Sequence, residues 1–312
     1  MNNKNFELKA NFHTHTTFCD GSHPAEEVVL QAIDYGFETL GFSGHMDPDI
    51  HMDLPAYLRE IKRLQKKYRE EIEILCGIEL DTLYVKEVFG ENWDGIAQPL
   101  LYDANDPEMA SLDFWIGSTH FIKMPDGNLI GTDAEEELLA QGCREYYGGD
   151  YYRLAEDYFA LEATAFEKTH CDFIGHFDLI TRFNDSMHFL DENDPRYQKP
   201  ALEAMEYLVK QEVPFEINCG AVNRGRKKEF YPNMFFLRAL KDFGGEILIN
   251  SDAHQKEKLN GAFPEALQAA RAAGFDHINV LTKRIAEGTD PADYRPSING
   301  GGKVYLRQIR CN

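Results

Sequence analysis

Residues 38–45 read ETLGFSGH and residues 112–120 read LDFWIGSTH, and this pattern decides the fold. Each stretch is a nearly continuous apolar run that ends abruptly at a histidine. Runs of this kind are typical of strands that are buried on both faces of a parallel sheet. Segments of the same form recur along the chain, and the predicted strands are Leu8–His15, Thr39–His45, Ile72–Glu79, Leu112–His120, Cys171–His176, Val213–Asn218 and Glu246–His254.

Segments with helical spacing separate these strands. Pro24 followed by two glutamates is a good helix start, and Gly274 is a natural helix end. The predicted helices are Pro24–Tyr35, Pro55–Glu70, Ala134–Tyr147, Tyr151–Thr169, Pro200–Gln211, Asn233–Phe243 and Phe263–Ala273. Strands that alternate with helices form parallel βαβ units. Seven such units predict an α/β fold with a closed or nearly closed barrel, and we expect one domain over residues 1–312.

Two stretches do not fit the repeating strand and helix pattern. Thr82–Ala110 is rich in turn residues and aromatic residues, and we expect it to be an insertion that covers the mouth of the barrel. The tail, residues 289–312, ends in the run VYLRQIR, which is predicted to add one extra edge strand.

Composition limits the partners of the chain. The 32 basic and 53 acidic residues give a formal net charge of −21, which disfavours nucleic acids and anionic membranes as partners. The chain has no apolar stretch long enough to span a membrane, and its first residues lack the apolar core of a signal peptide. The six cysteines form no CxxC pair, so we expect reduced thiols in the cytoplasm. The sequence indicates no particular oligomeric state.

The ends of the predicted strands carry the candidate functional residues. The carboxyl ends of the strands of a parallel barrel converge on one face, where catalytic residues lie. Random placement would put roughly 0.7 of the 11 histidines in the last three positions of these strands, whereas six lie there. An isolated histidine is more often packed or exposed than bound to metal, but that explanation does not fit this excess. The candidate ligands are His13, His15, His45, Glu79, His120, His176, Asp252 and His254, together with Asp20 in the first loop.

These residue types predict transition-metal ions. Imidazole with carboxylate favours zinc, manganese or iron over magnesium or calcium. If one carboxylate bridges two ions, nine residues make ten metal bonds, which suits one site of four ligands and two sites of three. The sequence therefore predicts three divalent ions, each with room for water or substrate.

Seven short motifs at these strand ends resemble, in order, those of the PHP (polymerase and histidinol phosphatase) family. They are HTHTTFCDGS (13–22), GFSGHMD (41–47), GIELD (77–81), GSTHFI (117–122), FIGHFDLI (173–180), EIN (216–218) and SDAH (251–254). The resemblance runs from about Phe12 to about Ala266 and implies a distorted (β/α)7 barrel with a trinuclear centre.

The resemblance also implies how the ligands are shared. The first ion would be held by His13, His15, Glu79 and Asp252. Glu79 would bridge to a second ion, which also binds His120 and His176. The third ion would be held by Asp20, His45 and His254.

Within the family, the DGS, IGHFDLI and SDAH motifs most resemble the histidinol-phosphatase branch, which implies hydrolysis of L-histidinol phosphate in histidine biosynthesis. The catalytic candidates are Glu79 as the bridge between two ions, and Asp252 or His254 as the acid that protonates the leaving alkoxide. Arg182 and Arg224 follow the fifth and sixth strands, where they either bind phosphate or are plain surface residues. The 15 Tyr, 21 Phe and excess carboxylates predict an acidic, aromatic-rich mouth for the cationic part of the substrate, with the 82–110 insertion as a wall.

Two alternatives remain open on the sequence. One is a different PHP phosphoesterase that acts on nucleotides or other small phosphate esters, because residues 216–233 are longer than that branch leads us to expect. The other is a non-catalytic metal-binding PHP module. A nuclease should carry a basic groove, which this acidic chain lacks, and a degenerate module should have lost ligands, whereas this set is complete.

Overall fold

The seven predicted strands pair side by side in parallel and curve into a nearly closed barrel. The structure is a computed structural model, and it describes residues 8–93, 98–285, 294–299 and 303–311. Its strands are β1 (Ala10–Asn11), β2 (Thr39–Met46), β3 (Glu73–Asp81), β4 (Phe114–Ser118), β5 (Phe121–Lys123), β6 (Leu129–Gly131), β7 (Phe173–Ile174), β8 (Phe215–Asn218), β9 (Ile247–Asn250), β10 (His277–Thr282), β11 (Tyr294–Pro296) and β12 (Tyr305–Arg310). The barrel strands follow the order β1-β2-β3-β4-β7-β8-β9.

The seam between the first and last barrel strands is closed just beyond their ends. Thr14 and Ala253 form an isolated parallel bridge, and the His15 N–H group donates to the Ala253 carbonyl oxygen at 2.9 Å. The bridge places the His13–His15 pair directly beside the Asp252–His254 pair. The contact that closes the barrel therefore also brings these four candidate ligands together.

Glycines make room for aromatic rings in the barrel interior. A Cβ atom on Gly77 would lie 2.4 Å from the Phe114 ring, and one on Gly41 would lie 2.9 Å from it. The ring contacts Phe12 edge-on at 6.2 Å and stacks on Phe173 at 6.1 Å between centroids. This buried aromatic packing fills the barrel beneath the site.

Helices surround the barrel. They are α1 (Ala25–Tyr35), α2 (Leu54–Lys67), α3 (Val85–Phe89), α4 (Glu136–Tyr147), α5 (Tyr151–Glu162), α6 (Ala165–Thr169), α7 (Asn184–Met187), α8 (Pro195–Lys210), α9 (Gly220–Asn223), α10 (Met234–Asp242) and α11 (Phe263–Ala273). The predicted bounds of α11 are confirmed at both ends, and Gly274, just after its last residue, adopts a left-handed conformation. The helix predicted to start at Pro200 begins at Pro195 instead, because Asp194 caps it by accepting from the Arg196 N–H group. Pro200 lies inside that helix.

The 82–110 insertion does not cover the barrel mouth in its described part. Phe89 stacks on Trp93 at 4.1 Å, and both rings pack against Trp115 of β4. Gln98 bonds the backbone of Leu112, just before that strand begins. The prediction was wrong because these apolar side chains are buried against the outside of the barrel, as the hydrophobic effect favours.

The C-terminal tail forms a strand, but not an edge strand of the barrel. β12 pairs antiparallel with β10 on one side and with β11 on the other, so it is the middle strand of a separate sheet. This sheet contacts the amino ends of the barrel strands: the Thr282 hydroxyl donates to Glu73 at 2.8 Å, and Lys283 pairs with Asp113 at 2.7 Å. It therefore covers the end of the barrel opposite the predicted site.

Among the described residues, no helix is both long and apolar enough to cross a membrane.

Candidate metal centre

All nine candidate ligands lie together at the carboxyl ends of the barrel strands, and Glu79 is at their centre. Its side chain is 1% exposed. Oε1 lies 2.8 Å from His176 Nε2 and 3.2 Å from His120 Nε2. Oε2 lies 3.2 Å from His13 Nε2 and 3.1 Å from His45 Nδ1. Each carboxylate oxygen therefore lies within 3.2 Å of two imidazoles, and Oε2 lies 3.5 Å from a third, that of His15, as expected of a carboxylate that bridges metal ions.

Two further carboxylates complete the cluster. Asp252 Oδ1 lies 3.4 Å from His15 Nε2 and 3.8 Å from His13 Nε2. Asp20 Oδ2 lies 3.0 Å from His254 Nε2, while its Oδ1 is 3.6 Å from His15 Nδ1. The first loop therefore folds back over the strand ends and delivers Asp20 to the centre.

Several of the ligand atoms are buried without a hydrogen-bonding partner in the described part of the chain. His13 Nε2, His15 Nε2 and Glu79 Oε2 are buried, and among the described residues they have no hydrogen-bonding partner. Buried polar atoms are rarely left in this state unless an ion or water satisfies them. Imidazole and carboxylate together suit zinc, manganese or iron, so the residues present fit divalent ions.

Four sets of residues could each hold an ion, because within each set the ligand atoms lie within 4.8 Å of one another. They are His15, Asp20, His45 and His254; His13, Glu79 and His176; His13, His15 and Asp252; and His45, Glu79 and His120. Each of the nine candidates belongs to at least one set. The set around Asp20 contains all three ligands that the resemblance assigns to the third ion, with His15 added.

Buried carboxylates orient the histidines. Both oxygens of Glu216 lie 3.0 Å from His13 Nδ1, which turns Nε2 toward Glu79. Asp81 Oδ2 lies 3.4 Å from His120 Nδ1 and accepts from the backbone N–H of His120 at 2.8 Å, and Asp47 lies 3.3 Å from His45 Nδ1. Partners of this kind fix the ring orientation of metal-binding histidines.

Sequence reasoning missed Glu216, although a signal was present. It is a carboxylate within the apolar run VPFEIN, and a charged residue buried in a strand requires partners. Besides contacting His13, Glu216 accepts hydrogen bonds from the backbone N–H group of His176 and from the side-chain amides of Asn218 and Asn250.

The local charges keep the central carboxylates ionised. Burial alone would raise the pKa of Glu79, but the surrounding His13, His45 and His120 hold that pKa well below its usual range. Burial likewise opposes ionisation of Asp252, but Arg224 and His13 hold its pKa well below the usual range. Both groups are therefore present as the charged form that binds metal.

Asp252 needs an unusual backbone and a glycine beside it. Its φ is +48°, in the left-handed region that non-glycine residues seldom adopt. A Cβ atom on Gly220 would lie 2.5 Å from Asp252 Oδ2, so a larger residue would displace the carboxylate. Strain of this kind is typical of functional sites.

A cavity of about 600 Å³ opens above the ligands. Its other charged lining residues are Asp47, Asp49, Asp133, Arg182, Arg224, Arg226 and Lys258. The predicted acidic, aromatic-rich mouth is wrong on both counts: outside the ligand set the lining carries three carboxylates and four basic side chains, and among the described residues Phe121 is the only Phe, Tyr or Trp in it. No described residue of 82–110 lines the cavity. The loops after the other strands form the walls instead.

Both predicted arginines lie in this cavity. Arg182 Nη1 is 3.3 Å from Asp133 Oδ2, and Arg224 Nη2 is 3.2 Å from Asp252 Oδ2. The Nε atom of each arginine is buried and has no hydrogen-bonding partner among the described residues. Each guanidinium therefore has one donor that the described residues leave unpaired. The sequence reasoning missed Arg226 and Asp133, the second of which follows the β5–β6 hairpin.

A parallel barrel with clustered imidazoles and carboxylates at its strand ends, beneath an open cavity, is typical of metal-dependent hydrolases. The model of the PHP domain family matches residues 11–220 of this chain, which is more than half of its length. The chain belongs to the PHP domain family.

Curated relatives match most of the chain. A Deinococcus radiodurans protein named "Probable histidinol-phosphatase" is 28% identical over 272 residues, covering 84% of this chain and 92% of the relative. The histidinol-phosphatase of Lactococcus lactis is 25% identical over 282 residues, covering 86% and 93%.

Solved structures share the fold. A Listeria monocytogenes protein matches with a TM-score of 0.66 and 20% identity, covering 82% of this chain and 99% of its own. The Lactococcus lactis histidinol phosphate phosphatase matches with a TM-score of 0.60 and 21% identity, covering 87% and 96%. That structure contains zinc, L-histidinol and phosphate.

Proposed function

We propose that this protein is a metal-dependent phosphatase that hydrolyses L-histidinol phosphate to L-histidinol and inorganic phosphate. The observation that carries the proposal is the position of Glu79, whose two oxygens each face two histidines at 2.8–3.2 Å beneath an arginine-lined cavity. The relatives named histidinol-phosphatase, and the zinc, L-histidinol and phosphate in the Lactococcus lactis structure, support the same substrate.

The nine clustered residues would hold three divalent ions. We assign His13, His15, Glu79 and Asp252 to the first, Glu79, His120 and His176 to the second, and Asp20, His45 and His254 to the third. Ions held there would activate water as the nucleophile and offset the charge that develops on the phosphoryl oxygens.

The side chains of the protein perform the remaining steps. Arg182 and Arg224 bind the phosphate, because both line the cavity and a guanidinium matches phosphate with two parallel hydrogen bonds. Asp252, which is ionised before the reaction, or His254 would take up the proton that the attacking water releases and pass it to the leaving alkoxide, since both lie at the floor of the cavity.

The carboxylates of the lining that lie outside the ligand set suit a substrate with a cationic remainder. L-Histidinol carries a primary ammonium group, and Asp49 and Asp133 lie in the lining outside the proposed ligand set. A nucleoside monophosphate brings no such cation. The net charge of −21 also argues against nucleic acid as a substrate, and the proposed reaction belongs to cytoplasmic histidine biosynthesis.

The test is a comparison of kcat/KM across phosphate esters with the metal-reconstituted protein. L-Histidinol phosphate should exceed p-nitrophenyl phosphate and nucleoside monophosphates by at least about tenfold. Asp49→Asn should lower kcat/KM for L-histidinol phosphate and leave that for p-nitrophenyl phosphate unchanged, because only the first substrate carries the ammonium group. A nucleotide or sugar phosphate as the best substrate would overturn the assignment and favour a different PHP phosphoesterase.

A further inference from the structure

Three arginines line the cavity, and two of them are paired with carboxylates. Arg182 pairs with Asp133, and Arg224 pairs with Asp252. Arg226 also lines the cavity, but no carboxylate of the described residues lies within ion-pair distance of its guanidinium. Partial burial lowers its pKa, and the like charges of Arg182 and Arg224 lower it further. Arg226 is therefore the one arginine of the lining that forms no ion pair with a described residue, although Asp133 partly offsets the effect of the other two arginines on its pKa.

The backbone holds Arg226 beside the other two arginines. Gly225, between Arg224 and Arg226, has a φ of +69°, so the chain reverses there in a left-handed conformation that glycine adopts without strain. The Arg226 N–H group donates to the Ala221 carbonyl oxygen at 2.9 Å. This hydrogen bond holds the loop in place on the amino-terminal side of Arg226.

The next residue fixes the loop on the other side. Lys227 is buried, and its ammonium group donates to the Thr181 hydroxyl at 2.6 Å. Thr181 immediately precedes Arg182, so this hydrogen bond joins the two segments that carry the arginines. The three guanidinium groups therefore stay close despite their mutual repulsion, which an anionic ligand would relieve.

We propose that Arg226 is a specificity-determining residue that binds the phosphate group of the substrate as it enters the cavity. The inference rests on the proposed phosphatase function and extends it. Arg226 is more exposed than Arg182 and Arg224, which places it where an incoming dianion arrives first. An unpaired charge at a cavity mouth raises the rate of capture of an oppositely charged ligand. It acts on the phosphate, so it favours phosphate monoesters regardless of the alcohol they carry.

The test compares Arg226→Ala with Arg238→Ala, which removes an exposed arginine of α10 outside this cavity. Arg226→Ala should raise KM by about tenfold for both L-histidinol phosphate and p-nitrophenyl phosphate, and change kcat by less than about twofold. The inhibition constant of inorganic phosphate should rise by a similar factor. The wild-type kcat/KM should fall with added salt more steeply than that of Arg226→Ala. Arg238→Ala should match the wild type, and Arg226→Lys should retain the salt dependence.

The outcomes separate this inference from the proposed function. An Arg226→Ala variant with wild-type KM, phosphate inhibition and salt dependence would overturn the inference, as would a loss confined to L-histidinol phosphate. If the wild type fails to prefer L-histidinol phosphate while Arg226→Ala still weakens p-nitrophenyl phosphate and inorganic phosphate, the substrate assignment fails and the role of Arg226 stands. Thermal unfolding of both alanine variants checks that they remain folded.

Discussion

Strand β3 begins with Glu73 and carries Glu79 near its carboxyl end, and these two glutamates have opposite surroundings. Glu79, near its carboxyl end, faces four imidazoles at 2.8–3.2 Å, and its Oε2 has no hydrogen-bonding partner among the described residues. Glu73, at its amino end, accepts hydrogen bonds from the Thr282 hydroxyl at 2.8 Å and the Lys283 N–H group at 3.0 Å. Glu79 therefore faces candidate metal ligands at one end of the barrel, whereas Glu73 forms hydrogen bonds with the C-terminal segment at the other end.

The difference shows how the fold separates function from stability. At the amino ends of the strands, carboxylates meet donors from the C-terminal sheet: Asp172 accepts from Asn299, and Glu246 pairs with Arg295. At the carboxyl ends, carboxylates meet imidazoles that other carboxylates hold in place. Satisfied hydrogen bonds stabilise the first end, whereas the second end keeps its donor atoms available for ions.

The largest expected effect comes from Glu79→Gln. The change keeps the shape of the side chain but removes the charge that faces four histidines, so the variant should lose activity by about 1,000-fold or more and lose metal from two sites. The measurements are kcat and metal content by mass spectrometry. Thermal unfolding of the variant checks that it remains folded. Wild-type activity in Glu79→Gln would disprove the bridging role.

A smaller effect, on stability alone, is expected from Glu73→Ala. The Thr282 hydroxyl and the Lys283 N–H group lose their acceptor, which should lower the free energy of unfolding by about 1–3 kcal/mol. Denaturant unfolding measures this change, and kcat should remain at the wild-type level wherever the variant is folded. Glu71→Ala, at an exposed position two residues earlier, is the matched control and should alter neither quantity. Loss of activity without loss of stability would break the proposed separation of the two ends.

The ends of the barrel strands were predictable because their signal is local. An apolar run that stops at a histidine records both the buried strand and the residue at its end, as for His45 and His120. The bridge of Thr14 with Ala253 was not visible in the sequence, since it joins residues far apart in the chain.

The errors share a physical cause, which is long-range packing. The aromatic side chains of the insertion suggested a substrate pocket, but Trp93 is packed against Trp115 on the outer side of β4. The tail was predicted as an edge strand because no local pattern shows that it pairs with β10 on one side and with β11 on the other. Arg226 was missed because its place in the cavity depends on the backbone reversal at Gly225.

The most direct test of the metal centre is the metal content of the purified protein together with its activity after chelation and reconstitution. We expect between two and three equivalents of zinc, manganese or iron per chain, loss of phosphatase activity when they are removed, and recovery when they are restored. Full activity in the metal-free protein would contradict the account.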